Sequence, residues 1–329
     1  MTKLIYVERS IREHARTIMI YSKFPTAKII EIEHYGEVFN RNNQSFRIQK
    51  NNPALILARK KNSRVLPVPK GLEVEKSSYY FSHMLNCIYD CRYCFLQGMF
   101  RSSNYVIFVN YEDFQEDIMK KANDHNGQAF FFSGYDCDSL AMDPVTNFTE
   151  SFLPIFKKLK HSKLELRTKS SQIRSLLQIE PQFNVVCSFS LNPEEIINLF
   201  EQKTPSLKTR IECIKKLSSV GWKIGLRFDP IIVTNNFKKI YEKLFFDVFS
   251  NIQIENIDSI TVGTFRLSSD QYKRMTKDRP DEWLYQTINS KPNSRFGYHA
   301  ALDKRVIYWT KRRLENYAEK IPIFVQQPL

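Results

Sequence analysis

The sequence lacks any long uninterrupted apolar run, and no segment reaches the roughly 18 apolar residues that a membrane-spanning helix requires. The first residues, MTKLIYVERSIREHARTIM, also lack the apolar stretch of a secretory signal. We therefore expect no transmembrane helix and no membrane partner. We expect the protein to be cytoplasmic.

Cysteine is scarce, with six residues among 329, which excludes a disulfide-stabilised scaffold. Internal repeats and low-complexity tracts are also missing. Hydrophobic residues make up 42% of the chain and aromatic residues 13%, so global disorder is excluded and a sizeable core is expected. The length allows one large α/β domain or two modest ones.

Acidic residues are outnumbered, with 35 Asp and Glu against 49 Lys and Arg, for a formal net charge of +14. Such an excess is typical of proteins that meet polyanions, including nucleic acid, anionic membranes and phosphorylated substrates. A generally basic, solubilising surface explains the same number. Charge alone does not choose between these two interpretations.

Apolar runs alternate with helical patterns from about Ser77 onward, which predicts parallel βαβ units. Such a sheet curves into a full or partial barrel whose active site lies at the carboxyl ends of the strands. The prolines near Val65–Gly71 suggest a boundary, so we expect an N-terminal extension (1–72), a barrel (73–268) and a C-terminal basic and aromatic segment (269–329). The predicted strands are Ser78–His83, Tyr105–Asn110, Gln128–Ser133, Lys163–Thr168, Asn184–Leu191, Trp222–Phe228 and Ile257–Phe265.

Three of the cysteines, Cys87, Cys91 and Cys94, form a C-x3-C-x2-C motif in a predicted loop. Three thiolates at this spacing hold three irons of a [4Fe–4S] cluster and leave the fourth iron open. The amino and carboxylate groups of S-adenosylmethionine (SAM) suit that open iron, and an electron from the cluster then yields a 5′-deoxyadenosyl radical. The alternatives are a structural zinc site, with His83 or a distant cysteine as the fourth ligand, and three coincidental core cysteines. Tyr93, directly before the last cysteine, favours the cluster.

At these residues the chain resembles the radical SAM superfamily and, within it, the spore photoproduct lyase family. The resemblance covers nearly the whole chain and implies a partial (β/α)6 barrel with lyase-type radical chemistry. It further implies repair of a UV-induced thymine photoproduct or another pyrimidine lesion in DNA. Separately, we expect an electron donor such as flavodoxin or ferredoxin, and a monomer, since nothing in the sequence demands an oligomer. The segments that carry it are Cys87–Gln97, Val38–Lys50, Pro53–Lys60, Asp138–Asp143, Leu166–Lys169 and Phe189–Asn192.

The resemblance also implies three contacts with SAM. Lys169 matches a family lysine near the SAM carboxylate, and Ser190 matches a serine near the ribose. Gly134 lies where such enzymes receive the SAM amino group on backbone atoms. The structural alternatives are a solvated lysine at a helix start, a turn-forming serine and a turn glycine.

Two positions depart from the family pattern. The family's hydrogen-donor cysteine follows a strand in a Cys-Thr-Ser-Asp sequence, and alignment through Asp138 places Tyr135 at the donor position. Cys137 falls two residues on, as a shifted donor or a small packing residue. The family's relay tyrosine after the third cluster cysteine is Phe95 here, whereas Tyr93 is retained. Either the donor pathway is rewired or the substrate differs.

The C-terminal segment Lys291–Arg313 alternates cations with aromatic residues, a pattern that suits phosphates and exposed bases. Arg295, beside a glycine-containing turn, is the candidate DNA contact. Leu302, Val306 and Trp309 recur at helical spacing, so we expect Trp309, and with it Tyr308, to pack on the barrel.

The sequence therefore leaves three functional hypotheses open. The first is a radical SAM enzyme acting on damaged pyrimidines in DNA, and the second is the same chemistry on another base or a small molecule. The third is a nucleic-acid-binding protein with a structural or redox-sensing cluster. Elsewhere we expect Cys187 and Cys213 to lie in the core. Asp229 is expected either to contact substrate or SAM or to end a strand.

Overall fold

The computed structural model describes residues 3–69, 77–291 and 294–325. Its strands are β1 (Leu4–Glu8), β2 (Lys28–Ile32), β3 (Leu55–Ala58), β4 (Val65–Pro67), β5 (Ser78–Phe81), β6 (Met84–Leu85), β7 (Asp90–Cys91), β8 (Tyr105–Phe108), β9 (Phe130–Ser133), β10 (Lys163–Thr168), β11 (Val185–Ser190), β12 (Glu201–Gln202), β13 (Lys223–Ile231), β14 (Ile257–Thr264), β15 (Arg266–Ser268), β16 (Asn289–Lys291), β17 (Arg295–Gly297) and β18 (Ile323–Val325).

The helices alternate with these strands along most of the chain. They are α1 (Ala15–Ser22), α2 (Phe46–Gln49), α3 (Leu96–Met99), α4 (Tyr111–Asn123), α5 (Asp143–Thr146), α6 (Phe148–Lys158), α7 (Arg174–Gln178), α8 (Glu194–Phe200), α9 (Leu207–Ser219), α10 (Phe237–Phe249), α11 (Ser269–Asp278), α12 (Trp283–Gln286) and α13 (Ala300–Tyr317).

The main sheet has eight strands in the order β18-β14-β13-β11-β10-β9-β5-β4. The six from β5 to β14 are parallel to their neighbours, β18 is parallel to β14, and β4 is antiparallel at the other edge. Every residue of β11 is buried, as expected of a parallel strand with both faces covered. This curved sheet confirms the expected partial (β/α)6 barrel.

One predicted barrel strand belongs elsewhere. Tyr105–Phe108 pairs in parallel with Leu55–Ala58, in a five-stranded sheet of order β2-β1-β3-β8-β6. The prediction that this strand belongs to the barrel was wrong, because an apolar run indicates that a strand is buried but not which strand it pairs with. The predicted boundary at residues 72 and 73 lies outside the described residues, and the three-part division stays a prediction.

Helix bounds differ most where the backbone turns sharply. The pattern predicts one helix from Pro144 to Lys160, but Asn147 has a φ of 51° and separates α5 from α6. Phe148 and Phe152 of α6 then pack with Phe81 of the first barrel strand. Burying each of these rings contributes roughly 1.5–3 kcal/mol, which fixes the helix layer on the sheet.

The C-terminal helix α13 packs on α10 as its apolar spacing predicts. Trp309 contacts Phe237, with 4.9 Å between ring centroids, and Val306 is buried. The expectation for Tyr308 was wrong, because its side chain points off this stripe and is 68% exposed. Cys187 and Cys213 are buried, as expected. Among the described helices, none has the length and hydropathy to cross a membrane.

Candidate functional site

A cleft of about 440 Å³ opens at the carboxyl ends of the barrel strands. The loops after β9 and β10 and the carboxyl-terminal residues of β11 and β13 contribute to its wall, together with the segment between β6 and β8 that carries the cysteine motif. The structure brings all the predicted site residues into this one cleft, while their individual roles remain predictions. They are Cys87, Cys91, Cys94, Tyr93, Gly134, Tyr135, Cys137, Lys169, Ser190 and Arg295.

The cysteine loop, residues 87–94, is anchored through its backbone. Cys91 pairs with Glu201 in a short antiparallel ladder, and the Arg92 amide donates to the Phe200 carbonyl at 2.7 Å. Gln97 closes the loop from the other side, because its amide nitrogen donates to the Asp90 carboxylate at 2.9 Å and to the Cys91 carbonyl at 2.7 Å. All three cysteines are free thiols that line the cleft.

The donor set fits an iron–sulfur cluster better than a single ion. Burial raises the pKa of Cys87 to about 12 and raises those of Cys91 and Cys94, so the thiols are neutral until a metal displaces their protons. Within the described residues, no three His, Cys, Asp or Glu side chains converge on one metal ion. A cubane cluster gives each cysteine its own iron and needs no such convergence. His83, the alternative zinc ligand, stacks on Phe148 and does not line the cleft.

Two lysines lie beside these thiols, and burial lowers the pKa of one of them, Lys50. Lys50, only 4% exposed, donates from Nζ to the Cys87 carbonyl at 2.6 Å. Lys169 lies with Nζ 5.5 Å from the centre of the Tyr93 ring. Burial opposes its charge, but Cys91 and Glu201 outweigh that effect and raise the pKa of Lys169. Buried cations of this kind suit an anionic group such as a thiolate-bound cluster.

The loop after β9 is held against the end of β10 by one carboxylate. Asp138 accepts from the Thr168 hydroxyl at 2.6 Å and from the Lys169 amide at 2.7 Å. Gly134 in this loop has a φ of +81°, and a Cβ there would meet Ser139 Oγ at 2.4 Å. Glycine is therefore required at this position on two grounds. The contacts of Asp138 therefore hold Gly134 and Lys169 close together in the same cleft.

A buried polar network beneath the cysteine loop was missed by sequence reasoning. The Tyr93 hydroxyl donates to Glu201, which also forms an ion pair with Arg210, and both charged side chains are completely buried. Asn192 donates to the same carboxylate at 3.0 Å. Burial opposes ionisation of Glu201, but Arg210 and Lys169 prevail and lower its pKa. The available signal was Arg210, a cation on the apolar stripe of α9.

The two candidate hydrogen donors both retain their protons. Cys137 is 7% exposed, and burial raises the pKa of its thiol well above the usual value. The Tyr135 ring lies 4.5 Å from that of Tyr80 and 5.7 Å from that of Phe95, measured between centroids. Burial, followed by the charge of Asp136, raises the pKa of Tyr135. Tyr135 and Cys137 thus both line the cleft, and Cys137 also packs among the buried apolar residues of the sheet formed by β1, β3 and β8.

The carboxylate of Asp229 pairs with two arginine side chains. Its carboxylate accepts from Arg266 at 2.9 Å and pairs with Arg167 at 3.3 Å. Burial opposes ionisation, but these two cations lower the pKa of Asp229. Arg167 and Arg266, which sequence reasoning did not single out, line the cleft with Arg295 and make this wall basic.

Comparisons with known proteins agree with this geometry. A protein-family model described as spore photoproduct lyase matches residues 1–297. The spore photoproduct lyase of Clostridium acetobutylicum is 26% identical over 194 residues, an alignment that spans 56% of this chain and 56% of that protein. The Bacillus subtilis spore photoproduct lyase is 25% identical over 251 residues, covering 74% of this chain and 71% of the relative.

Solved structures resemble the fold over nearly its full length. A spore photoproduct lyase double mutant with bound AdoMet and dinucleoside spore photoproduct superposes with a TM-score of 0.85 at 18% identity, covering 99% of this chain and 98% of the other. Spore photoproduct lyase complexed with the dinucleoside spore photoproduct gives a TM-score of 0.84 at 19% identity, with the same coverage. At such identities the likeness shows the fold.

Proposed function

Because this chain belongs to the spore photoproduct lyase family, we propose that it is a lyase-type radical SAM enzyme acting on a UV-induced thymine photoproduct or another pyrimidine lesion in DNA. Cys87, Cys91 and Cys94 would hold a [4Fe–4S] cluster. The proposal rests mainly on one observation: these three free thiols line the same cleft as Gly134 and Lys169, at the carboxyl ends of the strands.

When bound, the cluster supplies the electron that cleaves SAM to a 5′-deoxyadenosyl radical. The chain's own residues position SAM for this step. We assign the SAM carboxylate to Lys169, whose positive charge is retained beside Cys91 and Glu201. The Gly134 backbone receives the SAM amino group, and Ser190, at the end of β11, contacts the ribose.

We assign the return of a hydrogen atom to Cys137, since its buried thiol stays protonated in the cleft. Tyr135 is the second candidate donor, and Tyr93 is the retained relay tyrosine. In a Cys137→Ala variant the product radical should be quenched wrongly and yield side products, which chromatography of the reaction mixture detects. Unchanged product from Cys137→Ala, together with side products from Tyr135→Phe, would transfer the role to Tyr135.

The DNA partner is supported by the net charge of +14 and by the basic wall that contains Arg295. We propose that Arg295 contacts the DNA backbone and that a flavodoxin or ferredoxin donates the electron. The enzyme is proposed to act in the cytoplasm as a monomer.

Anaerobic reconstitution with iron and sulfide tests the proposal. We expect the protein to form 5′-deoxyadenosine from SAM, and each of Cys87→Ala, Cys91→Ala and Cys94→Ala to abolish it. Cys213→Ala is the matched control, because Cys213 is buried but does not line the cleft. UV-irradiated DNA should then increase 5′-deoxyadenosine formation relative to unirradiated DNA.

A second candidate function has a specific observation in its favour. Phe95 and Tyr135 replace the family's relay tyrosine and donor cysteine, which favours radical chemistry on a different substrate. Formation of 5′-deoxyadenosine that is indifferent to irradiated DNA would support this candidate. Absence of 5′-deoxyadenosine from a protein that carries the cluster would leave a structural or redox-sensing role.

A further inference from the structure

We infer that Lys50, which follows α2, is a positioning residue that holds the cysteine loop and supplies a compensating positive charge to the bound cluster. The inference rests on the proposed function, because it requires that Cys87, Cys91 and Cys94 bind a cluster. It concerns a residue of the N-terminal region, 37 positions before the first cluster cysteine.

The geometry of Lys50 is unusual for a lysine. Its side chain is 4% exposed, and Nζ donates to the Cys87 carbonyl at 2.6 Å. The rings of Phe46 and Tyr105 flank the ammonium group, with Nζ 5.6 Å and 5.4 Å from their centroids. Within the described parts of the chain, Lys50 forms no ion pair with a carboxylate. One carbonyl and two aromatic faces leave most of its hydrogen-bonding capacity unused.

A lysine is almost never this buried without an anionic partner, since desolvating an ammonium group costs several kcal/mol. The acidic groups facing Lys50 are Asp90 and the thiols of Cys87 and Cys94, and the two thiols become anionic only when a metal displaces their protons. Asp90 is already engaged by Gln97 at 2.9 Å and by Arg279 at 3.4 Å. The anion that suits this position is therefore a cluster bound by cysteine thiolates.

Lys50 differs from Lys169 in what it reaches. Lys169 lines the cleft, whereas Lys50 contacts the cysteine loop at the Cys87 carbonyl and does not line the cleft. Its charge acts on the cluster but not by contact with SAM or substrate. Net charge, hydrogen bonding and solvent exposure set the reduction potential of an iron–sulfur cluster. A buried cation favours the reduced, more negative state and raises that potential.

The test compares the reconstituted wild-type protein with Lys50→Gln, Lys50→Arg and Lys60→Gln. Glutamine keeps a donor for the Cys87 carbonyl but removes the charge, and arginine keeps the charge. Lys60 is the matched control, a half-buried lysine of the same N-terminal region over the Phe108 ring, whose facing anion is Asp136 rather than the cluster cysteines. Iron content and an EPR-monitored redox titration are measured without SAM or DNA.

We expect the reduced-to-oxidised ratio at a fixed potential to fall about tenfold in Lys50→Gln, a shift of about 59 mV to lower potential. Lys50→Arg and Lys60→Gln should match the wild type. Loss of iron from Lys50→Gln, with iron retained in Lys50→Arg, would also support the inference, because the positive charge would then be needed for the cluster to bind.

An unchanged midpoint and iron content in Lys50→Gln would overturn the inference, as would an equal shift in Lys60→Gln. These outcomes differ from failure of the proposed function. If the wild-type protein takes up no cluster, the proposed function fails. If the wild type is loaded and Lys50→Gln behaves identically, only the role of Lys50 is lost.

Discussion

Replacing Arg210 by methionine should destabilise the cluster-free protein by about 3 kcal/mol. Removing one partner of a buried ion pair costs about 3–5 kcal/mol, because the other charge stays buried without compensation. Here the partner is Glu201, and both side chains are fully buried. Lys169 still acts on Glu201, which places the expected loss at the lower end of that range. The loss is a large share of the 5–15 kcal/mol typical of folded domains.

Arg210 also donates to the Thr204 hydroxyl at 2.8 Å and to the Ser190 carbonyl at 3.1 Å, so the variant leaves further groups unsatisfied. Urea unfolding of the metal-free protein at neutral pH, followed by circular dichroism, measures the change. The double variant with Glu201→Gln should recover part of the loss, since it removes the stranded charge. That non-additivity is the signature of a coupled pair.

The matched control is the exposed pair of Lys157 and Glu180, whose side chains are 67% and 78% exposed. Lys157→Met should leave the unfolding transition unchanged. The reasoning fails if Arg210→Met unfolds at the wild-type urea concentration. It also fails if the losses in Arg210→Met and Glu201→Gln simply add in the double variant, because the two charges would then be uncoupled.

Three further outcomes follow from the same contacts. Burial opposes ionisation of Glu165, but Arg227 prevails and lowers its pKa, so the ionised Glu165 stabilises the fold above its unfolded pKa of about 4.3. This stabilisation is lost as the pH falls through the lower, folded pKa. The fall of the urea midpoint on acidification should therefore be smaller in Glu165→Gln than in the wild type, and an equal fall in both proteins would contradict this. Gly134→Ala should destabilise by at least about 1 kcal/mol in urea, with partial rescue by Ser139→Ala; wild-type stability would refute the positive-φ argument. Arg295→Gln should lower the salt-dependence slope of duplex DNA binding, measured by fluorescence anisotropy, by about one, and an unchanged slope would exclude a phosphate contact.

Local patterns were sufficient to predict the barrel and the approximate place of the site. Strand-length apolar runs separated by amphipathic helices predict parallel βαβ units, and the carboxyl ends of those strands converge by topology. The cysteine loop and Gly134 therefore had to lie near one another. The same logic failed for Tyr105–Phe108, because its partner Leu55–Ala58 lies about 50 residues earlier and no local pattern encodes that pairing.

The polar residues beneath the loop were harder to predict for a related reason. Glu201 looks like the last residue of an amphipathic helix, and Lys50 looks like one charge in a polar stretch. Their meaning comes from tertiary neighbours, since Glu201 pairs with Cys91 through the backbone and Lys50 reaches the Cys87 carbonyl. Hydrophobic periodicity identifies buried apolar faces but is silent about a buried charge whose partner is remote in sequence.

The two residues that depart from the family pattern, Phe95 and Tyr135, lie next to each other in the structure. Under the proposed function, Phe95 lacks the hydroxyl of a relay tyrosine and Tyr135 lacks the thiol of a donor cysteine. The Tyr135 ring lies 5.7 Å from that of Phe95 and 4.5 Å from that of Tyr80, and all three residues line the cleft. Cys137 lines the same cleft, and burial raises the pKa of its thiol. Under the proposed function, the comparison of Cys137→Ala with Tyr135→Phe therefore locates the hydrogen donor.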